Sequence, residues 1–236
     1  MPCSNSAPHR PWRRLRNKTD AIMTPQTNHP VPKCAALILA AGESTRFGGR
    51  KQLADIHGVP MIRHTIDALA SLPGLDRFVV LGAFADEIRP VIGTDCHIVD
   101  NPDWTSGMGS SIAAGIGAIA KNGDYDAVLI ALCDQVRLGR GDYQKLIGSF
   151  DGEHIIATRY SGGFGVPALF PASLFSELAT LSGPSGGRAI LNGADHDVIG
   201  LELEAARFDI DTRDDLNAVL SMPAGSAVSG KPGISG

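Results

Sequence analysis

Residues 34–53 read "CAALILAAGESTRFGGRKQL", an apolar run through Ala41 followed by glycines, small polar residues and the cations Arg46, Arg50 and Lys51. With no polar alternation, the run describes a strand buried on both faces. A second such run, "DAVLIALC" at 126–133, leads into Asp134 and Gln135. Further strand-like stretches are "RFVVLG" (77–82), "HIVDN" (97–101), "HIIATRY" (154–160) and "VPALFP" (166–171). Helix-like segments separate them at 61–72, 84–92, 108–123, 140–150, 172–181 and 186–193. In the third of these, Ile112, Ile116 and Ile119 make one apolar stripe. Strands alternating with helices of this length predict an α/β fold, a doubly wound and mostly parallel sheet covered on both faces. Ligands of such sheets bind beyond the carboxyl ends of the strands. The segments after Ala41 and Cys133 are therefore the places to look.

The chain has 236 residues, 43% of them hydrophobic, enough to bury one substantial core. Its formal charge is −4, but Arg10, Arg13, Arg14, Arg16 and Lys18 all precede Met23. Without residues 1–22, 16 Lys and Arg face 24 Asp and Glu, and the body carries −8. An acidic body argues against a nucleic-acid binder that neutralises phosphates broadly. Cys3, Cys34, Cys96 and Cys133 form no Cys-x-x-Cys pair, and the last three lie in or beside apolar runs. They read as reduced thiols of a cytoplasmic protein. No apolar run reaches membrane-spanning length, and the basic opening is not followed by a secretory apolar stretch. Residues 1–33 are expected to be a disordered extension, with Met1 and Met23 both possible starts. Residues 34–220 form the expected domain, and 221–236 a disordered tail.

Gly42, Gly48 and Gly49 allow positive φ values and a close approach of backbone N–H groups to phosphate oxygens. Arg46 offers a two-pronged donor and Lys51 a compact charge. A Walker A loop would need Gly-Lys-Ser/Thr, and a dinucleotide fingerprint G-x-G-x-x-G; neither is present here. The plain alternative is a surface connection with solvated cations. Asp134, at the end of a buried strand, suits Mg²⁺ or else caps the next helix. In "FDIDTRDDL" (208–216), an extended Phe208–Asp211 would project Asp209 and Asp211 from one face. Thr212 with Asp215 reads as the capping box of a following helix.

The stretch Leu39, Ala40, Ala41, Gly42, Ser44, Arg46, Gly48 and Lys51 resembles the signature of the nucleotidyltransferases that make activated sugars, isoprenoid precursors and dinucleotide forms of the molybdenum cofactor. Four further stretches are similar to the molybdenum cofactor cytidylyltransferase branch. They are "NPDWTSGMGSSI" (101–112), "CDQ" (133–135), "GPSGGRAIL" (183–191) and "DIDTRDDL" (209–216). The resemblance covers residues 34–220. It implies a three-layer, Rossmann-like fold of the nucleotide-diphospho-sugar transferase type.

It also implies roles. Lys51 and Arg46 would be catalytic. Leu39, Ala40, Ala41, Gly42, Ser44, Gly48, Gly107, Met108 and Ser110 would bind the nucleotide. Asp134 and Asp211, with Asp209 as fallback, would hold Mg²⁺. Gln135, Val166 and Arg188 would face the acceptor. CTP is the implied co-substrate, since Ala41 stands where guanosine-using relatives carry glycine. The implied acceptor is the phosphorylated, molybdenum-bearing pterin, and the implied client a molybdenum hydroxylase. Val166 departs from the branch, where many members have histidine, and Val136 and Gly187 replace its proline and alanine. Two alternatives remain: a transferase for another phosphate acceptor such as a sugar phosphate, or a non-catalytic cofactor-binding maturation factor.

Overall fold

The computed structural model describes residues 32–222. Apart from residues 32–33 and 221–222, the extension and tail expected to be disordered lie outside the described residues. At the boundary, the Lys33 amide donates to Asp126 Oδ2 at 2.8 Å. Cys34, Cys96 and Cys133 are free thiols.

The strands are β1 (Cys34–Leu39), β2 (Asp55–Ile56), β3 (Val59–Pro60), β4 (Asp76–Leu81), β5 (His97–Asp100), β6 (Ala127–Leu132), β7 (Ile155–Tyr160), β8 (Gly163–Pro171) and β9 (Val198–Leu201). The helices are α1 (Met61–Ala70), α2 (Ala85–Ile92), α3 (Met108–Asn122), α4 (Arg140–Gly148), α5 (Phe175–Leu178), α6 (Arg188–Asn192) and α7 (Arg213–Leu220). One seven-stranded sheet has the order β5-β4-β1-β6-β8-β7-β9, and β2 and β3 make a separate hairpin. Only β8 runs against the other six strands. The fold is a three-layer, doubly wound α/β domain.

Strand β1 shows why its run is apolar throughout. Ala36, Ile38 and Ala40 face one core with Ile62, Ile66 and Leu69 of α1, Ile88 of α2 and Tyr143 of α4. Ala35, Leu37, Leu39 and Ala41 face the other with Ile112, Ile116 and Ile119 of α3, Leu178 of α5 and Ile190 of α6. Alternate residues of a pleated strand point to opposite faces, so a strand between two helix layers has no polar side. A third, smaller cluster joins Phe47, Ile56, Met61, Ile210 and Leu216, tying the loop after β1 to α7. From β1 the chain builds outward through β4 and β5, then returns to lay β6 on the other side. The crevice beside β1 and β6 is where strand order reverses.

Three local expectations are revised. The helix expected at 172–181 divides into a 3₁₀ turn (Ala172–Leu174) and the four-residue α5 (Phe175–Leu178). Phe208 is extended, but residues 208–211 join no ladder, so Asp209 and Asp211 are not set by strand alternation. The short edge strand β9 and the β2–β3 hairpin were not anticipated from apolar runs. In β8, pairing with β7 jumps from Ala168 to Gly165, leaving Val166 and Pro167 as a bulge. Proline lacks the N–H that a ladder needs, which fits a break there.

Candidate active site

At the end of β1 the Ala40 amide still bonds to Val80 O (3.0 Å), and the Ala41 carbonyl accepts from the Ala83 amide (2.9 Å). The chain then leaves the sheet. The Ser44 carbonyl gathers the amides of Phe47, Gly48 and Gly49 at 3.0, 3.1 and 3.0 Å. This tight turn puts Gly48 and Gly49 at φ 90° and 95°, where a side chain would be strained, and also forces Ser44 and Arg50 to positive φ. Gly42 is not among the positive-φ glycines, contrary to the expectation from sequence. Phe47 drops into the third cluster, with the Arg213 guanidinium 4.6 Å above its ring. The loop is thereby anchored before it reaches Lys51.

Lys51 is 8% exposed. Its Nζ donates to Asp134 Oδ2 at 2.7 Å and to Asp211 Oδ1 at 3.1 Å, spans of 83 and 160 residues. Arg46 Nη1 pairs with Asp211 Oδ2 at 2.9 Å, while the Arg46 side chain remains 75% exposed. Burial opposes the charge on Lys51, but Asp134 and Asp211 outweigh it, and the net shift is upward. Asp134 does not cap the next helix, which begins at Arg140 behind Gly139. Beside it, burial and the Asp134 charge push the Cys133 thiol up to about 12, so Cys133 is not a thiolate nucleophile.

Asp211 arrives through its neighbours. Ile210 is buried in the third cluster, and its amide donates to the Asp134 carbonyl at 3.2 Å. The capping box forms as the spacing predicts: the Thr212 amide donates to Asp215 Oδ2 at 2.7 Å, and the Asp215 amide to Thr212 Oγ1 at 3.2 Å. The Asp211 amide also donates to Asp215 Oδ2, at 3.1 Å. Asp209 turns to an adjoining cavity. Burial, then the nearby charges of Asp134 and Asp211, raise its pKa.

A cavity of about 500 Å³ collects these groups, lined by Leu39, Ala40, Ala41, Gly42, Ser44, Arg46, Lys51, Gly107, Met108, Asp134 and Asp211 of the expected residues. Gly48 and Ser110 are not on its wall. Gly48 closes the turn, and the Ser110 hydroxyl lies 2.9 Å from Asp103 O and 2.8 Å from Gly107 O. Ser111 faces the cavity instead. Gln52, Trp104 and Pro184 line the same wall. Trp104 and Pro184 lie in the 101–112 and 183–191 stretches quoted above but were given no site role of their own, and Gln52 was passed over. A signal existed for Trp104: a Cβ on Gly82 would lie 2.5 Å from Trp104 Cβ, so the glycine that ends "RFVVLG" makes room for it.

A second cavity of about 780 Å³ shares Leu39, Met108, Leu132 and Pro184 with the first. Gln135, Val166 and Arg188, the residues expected at the acceptor side, line it together with Tyr160, Phe164 and Asp209. Gln135 is buried, and its Nε2 donates to Tyr160 Oη (3.1 Å), Val166 O (3.3 Å) and Ala206 O (3.0 Å). Among the described residues, Arg188 has no ion-pair partner.

Among the described residues, no group of three or more His, Cys, Asp or Glu is arranged to hold a metal. The relevant donor set is the pair Asp134 and Asp211. Asp134 Oδ1 is buried with no hydrogen-bond partner. Two hard carboxylates, one with an orphaned oxygen, fit a cation that takes its other ligands from phosphate and water.

The MobA-like NTP transferase domain family matches residues 36–198. The chain belongs to that family. Nicotine blue oxidoreductase of Paenarthrobacter nicotinovorans is 30% identical over 203 residues, 80% of this chain and 98% of that protein. The bifunctional protein GlmU of Sinorhizobium fredii is 36% identical over 103 residues, 43% of this chain and 23% of that much longer protein. Among solved structures, Rv0371c of Mycobacterium tuberculosis superposes with a TM-score of 0.69 at 24% identity, covering 82% of this chain and all of that one. The same protein solved as a complex with manganese gives 0.65 at 22% identity, covering 80% of this chain and 98% of that one. These likenesses establish the MobA-like fold. Among the described residues, no helix is long and apolar enough to cross a membrane.

Proposed function

We propose that this chain is a Mg²⁺-dependent nucleotidyltransferase that joins CMP from CTP to the terminal phosphate of the molybdenum-bearing pterin. An acceptor phosphate oxygen attacks the α-phosphorus in line, the bond to the β-phosphate oxygen breaks, and pyrophosphate leaves. The observation that carries the reading is the convergence of Lys51, Arg46, Asp134 and Asp211 in one cavity at the ends of β1 and β6. No covalent intermediate is needed, so the work of the protein is alignment and positive charge fixed in advance. Lys51 neutralises charge on the α-phosphoryl oxygens, and Arg46 with the loop amides holds the β- and γ-phosphates. Gly107, Met108 and Ser111 border the base and ribose.

Asp134 and Asp211 are the residues that would hold Mg²⁺, and a protein of the same fold, Rv0371c, has been solved as a complex with manganese. When bound, the cation supplies charge against the negative oxygens of the nucleotide. Gln135, Val166 and Arg188 receive the acceptor, Arg188 meeting its phosphate. The free thiols Cys34, Cys96 and Cys133 agree with a cytoplasmic setting. A molybdenum hydroxylase is the proposed destination of the product.

A second reading comes from nicotine blue oxidoreductase, aligned over nearly its full length. On that reading the larger cavity holds a dye-like compound that exchanges two electrons with an added soluble reductant or oxidant. The test is pyrophosphate release from purified protein with CTP, GTP, ATP or UTP against a panel of acceptors: molybdenum-loaded pterin phosphate, free pterin phosphate and sugar phosphates. CTP-dependent release with the metallated pterin is expected. Release only with a sugar phosphate replaces the acceptor. No release with any pair, together with turnover of a redox dye against an added reduced nicotinamide or oxidant, supports the second reading.

A further inference from the structure

Gln52 follows Lys51, and its side chain is 2% exposed on the wall of the first cavity. Its Nε2 donates to the carbonyl of Ala40 at 3.0 Å and to that of Gly42 at 2.8 Å. We propose that Gln52 is a positioning residue that turns the amides of the loop after β1 toward the triphosphate. The inference rests on the nucleotidyltransferase reading above. In a planar trans peptide the C=O and the next residue's N–H point in opposite directions. Holding the Ala40 and Gly42 carbonyls against Gln52 therefore turns the Ala41 and Glu43 N–H groups away from it. Both of those residues line the cavity. Among the described residues, no hydrogen bond uses an amide from 41 to 46. A series of unpaired N–H groups is a built concavity for anionic oxygens.

Gly42 is the peptide that most needs such a clamp, since nothing lies within 4 Å of where its Cβ would be and glycine has the widest choice of conformation. A glutamine amide nitrogen has two N–H donors and so satisfies two carbonyls at once. Its own Oε1 is buried without a partner. A buried acceptor left unpaired is destabilising. The amide is thus poorly explained as packing and well explained by the two carbonyls it holds.

Gln52→Glu keeps the size of the side chain but replaces both donors, and Gln52→Met keeps its length without a polar group. The measurement is binding of CTP and of pyrophosphate by isothermal titration with Mg²⁺, and of cytidine by NMR titration, with circular dichroism to confirm the fold. CTP and pyrophosphate should each bind about 10–100-fold more weakly, as expected for losing one or two charge-assisted hydrogen bonds. Cytidine binding should not change. Equal loss for all three ligands, or wild-type affinity for CTP and pyrophosphate, overturns the positioning role while leaving the nucleotidyltransferase reading intact. Wild-type protein that binds neither CTP nor pyrophosphate overturns both. Should Gln52→Met fail to fold, Gln52→Asn decides, being uncharged and too short to reach both carbonyls, since the carboxylate of Gln52→Glu would itself repel the phosphates.

Discussion

Around the first cavity four charged groups are already paired, Lys51 with Asp134 and Asp211 and Arg46 with Asp211, while Glu43 is in no ion pair among the described residues. Around the second, Arg188 lacks an ion-pair partner among the described residues, and the walls are Phe164, Val166, Phe170, Ile112 and Ile130. The first is fixed by loops anchored in a small core, the second by a bulged strand and a glycine-rich hairpin end. The difference separates two demands. Every nucleoside triphosphate presents the same phosphates, so a preset array of charge serves any member of the family. Acceptors differ in shape, and a cavity walled largely by apolar side chains, with Arg188 and Asp209 as charged groups among the described residues, can be reshaped without disturbing the paired charges. Whatever specificity this chain has over its relatives is therefore expected in the second cavity.

The largest expected effect tests the first cavity. Lys51→Ala removes the group between the two carboxylates, and Asp134→Ala removes the better buried of them. Each should lower pyrophosphate release at least about 10²–10³-fold, the scale for losing one preorganised charge at a transition state. The melting temperature should move by only a few degrees. Turnover at the wild-type rate in either variant would break the contrast, because the paired charges would then be structural.

The second cavity predicts a different signature. Arg188→Ala should raise KM for the phosphorylated acceptor about 10–100-fold while leaving KM for the triphosphate unchanged, the pattern of lost ground-state binding at one substrate only. Arg46→Ala should do the reverse. If both variants raise the same KM, the two cavities hold one ligand and the division is wrong.

The division also explains what was legible in the sequence. Strand β1 and its loop were readable because a two-sided apolar run must be central, and cations directly after it must sit at its carboxyl end. Asp134 was readable for the same reason on β6. That Lys51 and Asp134 share one pocket was expected, because both follow central strands at their carboxyl ends. The direct contacts of Lys51 with residues 83 and 160 positions away were not readable, since nothing local links them. Asp211 could be chosen over Asp209 only by resemblance; strand alternation would have put both on one face, and the chain there is not a strand. Gln52 was invisible because its role lies in two backbone carbonyls rather than in a charge pattern. The bulge at Val166 was missed because "VPALFP" looks like a plain strand until its partner's register is known.

The smallest effects concern α3, which packs beneath the wall that both cavities share, and they should leave both KM values alone. Helix propensity favours Gly→Ala in a helix interior by about 1 kcal/mol. At Gly117 nothing lies within 4 Å of the added Cβ, so Gly117→Ala should stabilise by that amount. At Gly115 the same atom would fall 2.3 Å from Leu37 Cδ1 and 2.6 Å from Leu37 Cδ2. Leu37 is fully buried in the central strand and cannot withdraw, so Gly115→Ala should destabilise by about 1–3 kcal/mol despite its better propensity. Urea unfolding of both variants measures the two signs. The cause is then isolated by Leu37→Ala, which alone should cost about 2–5 kcal/mol by leaving a cavity. Combined with Gly115→Ala, part of that space is refilled, so the double variant should be more stable than the two single changes added together. Simple additivity would mean that Gly115 is small for a reason other than the approach of Leu37.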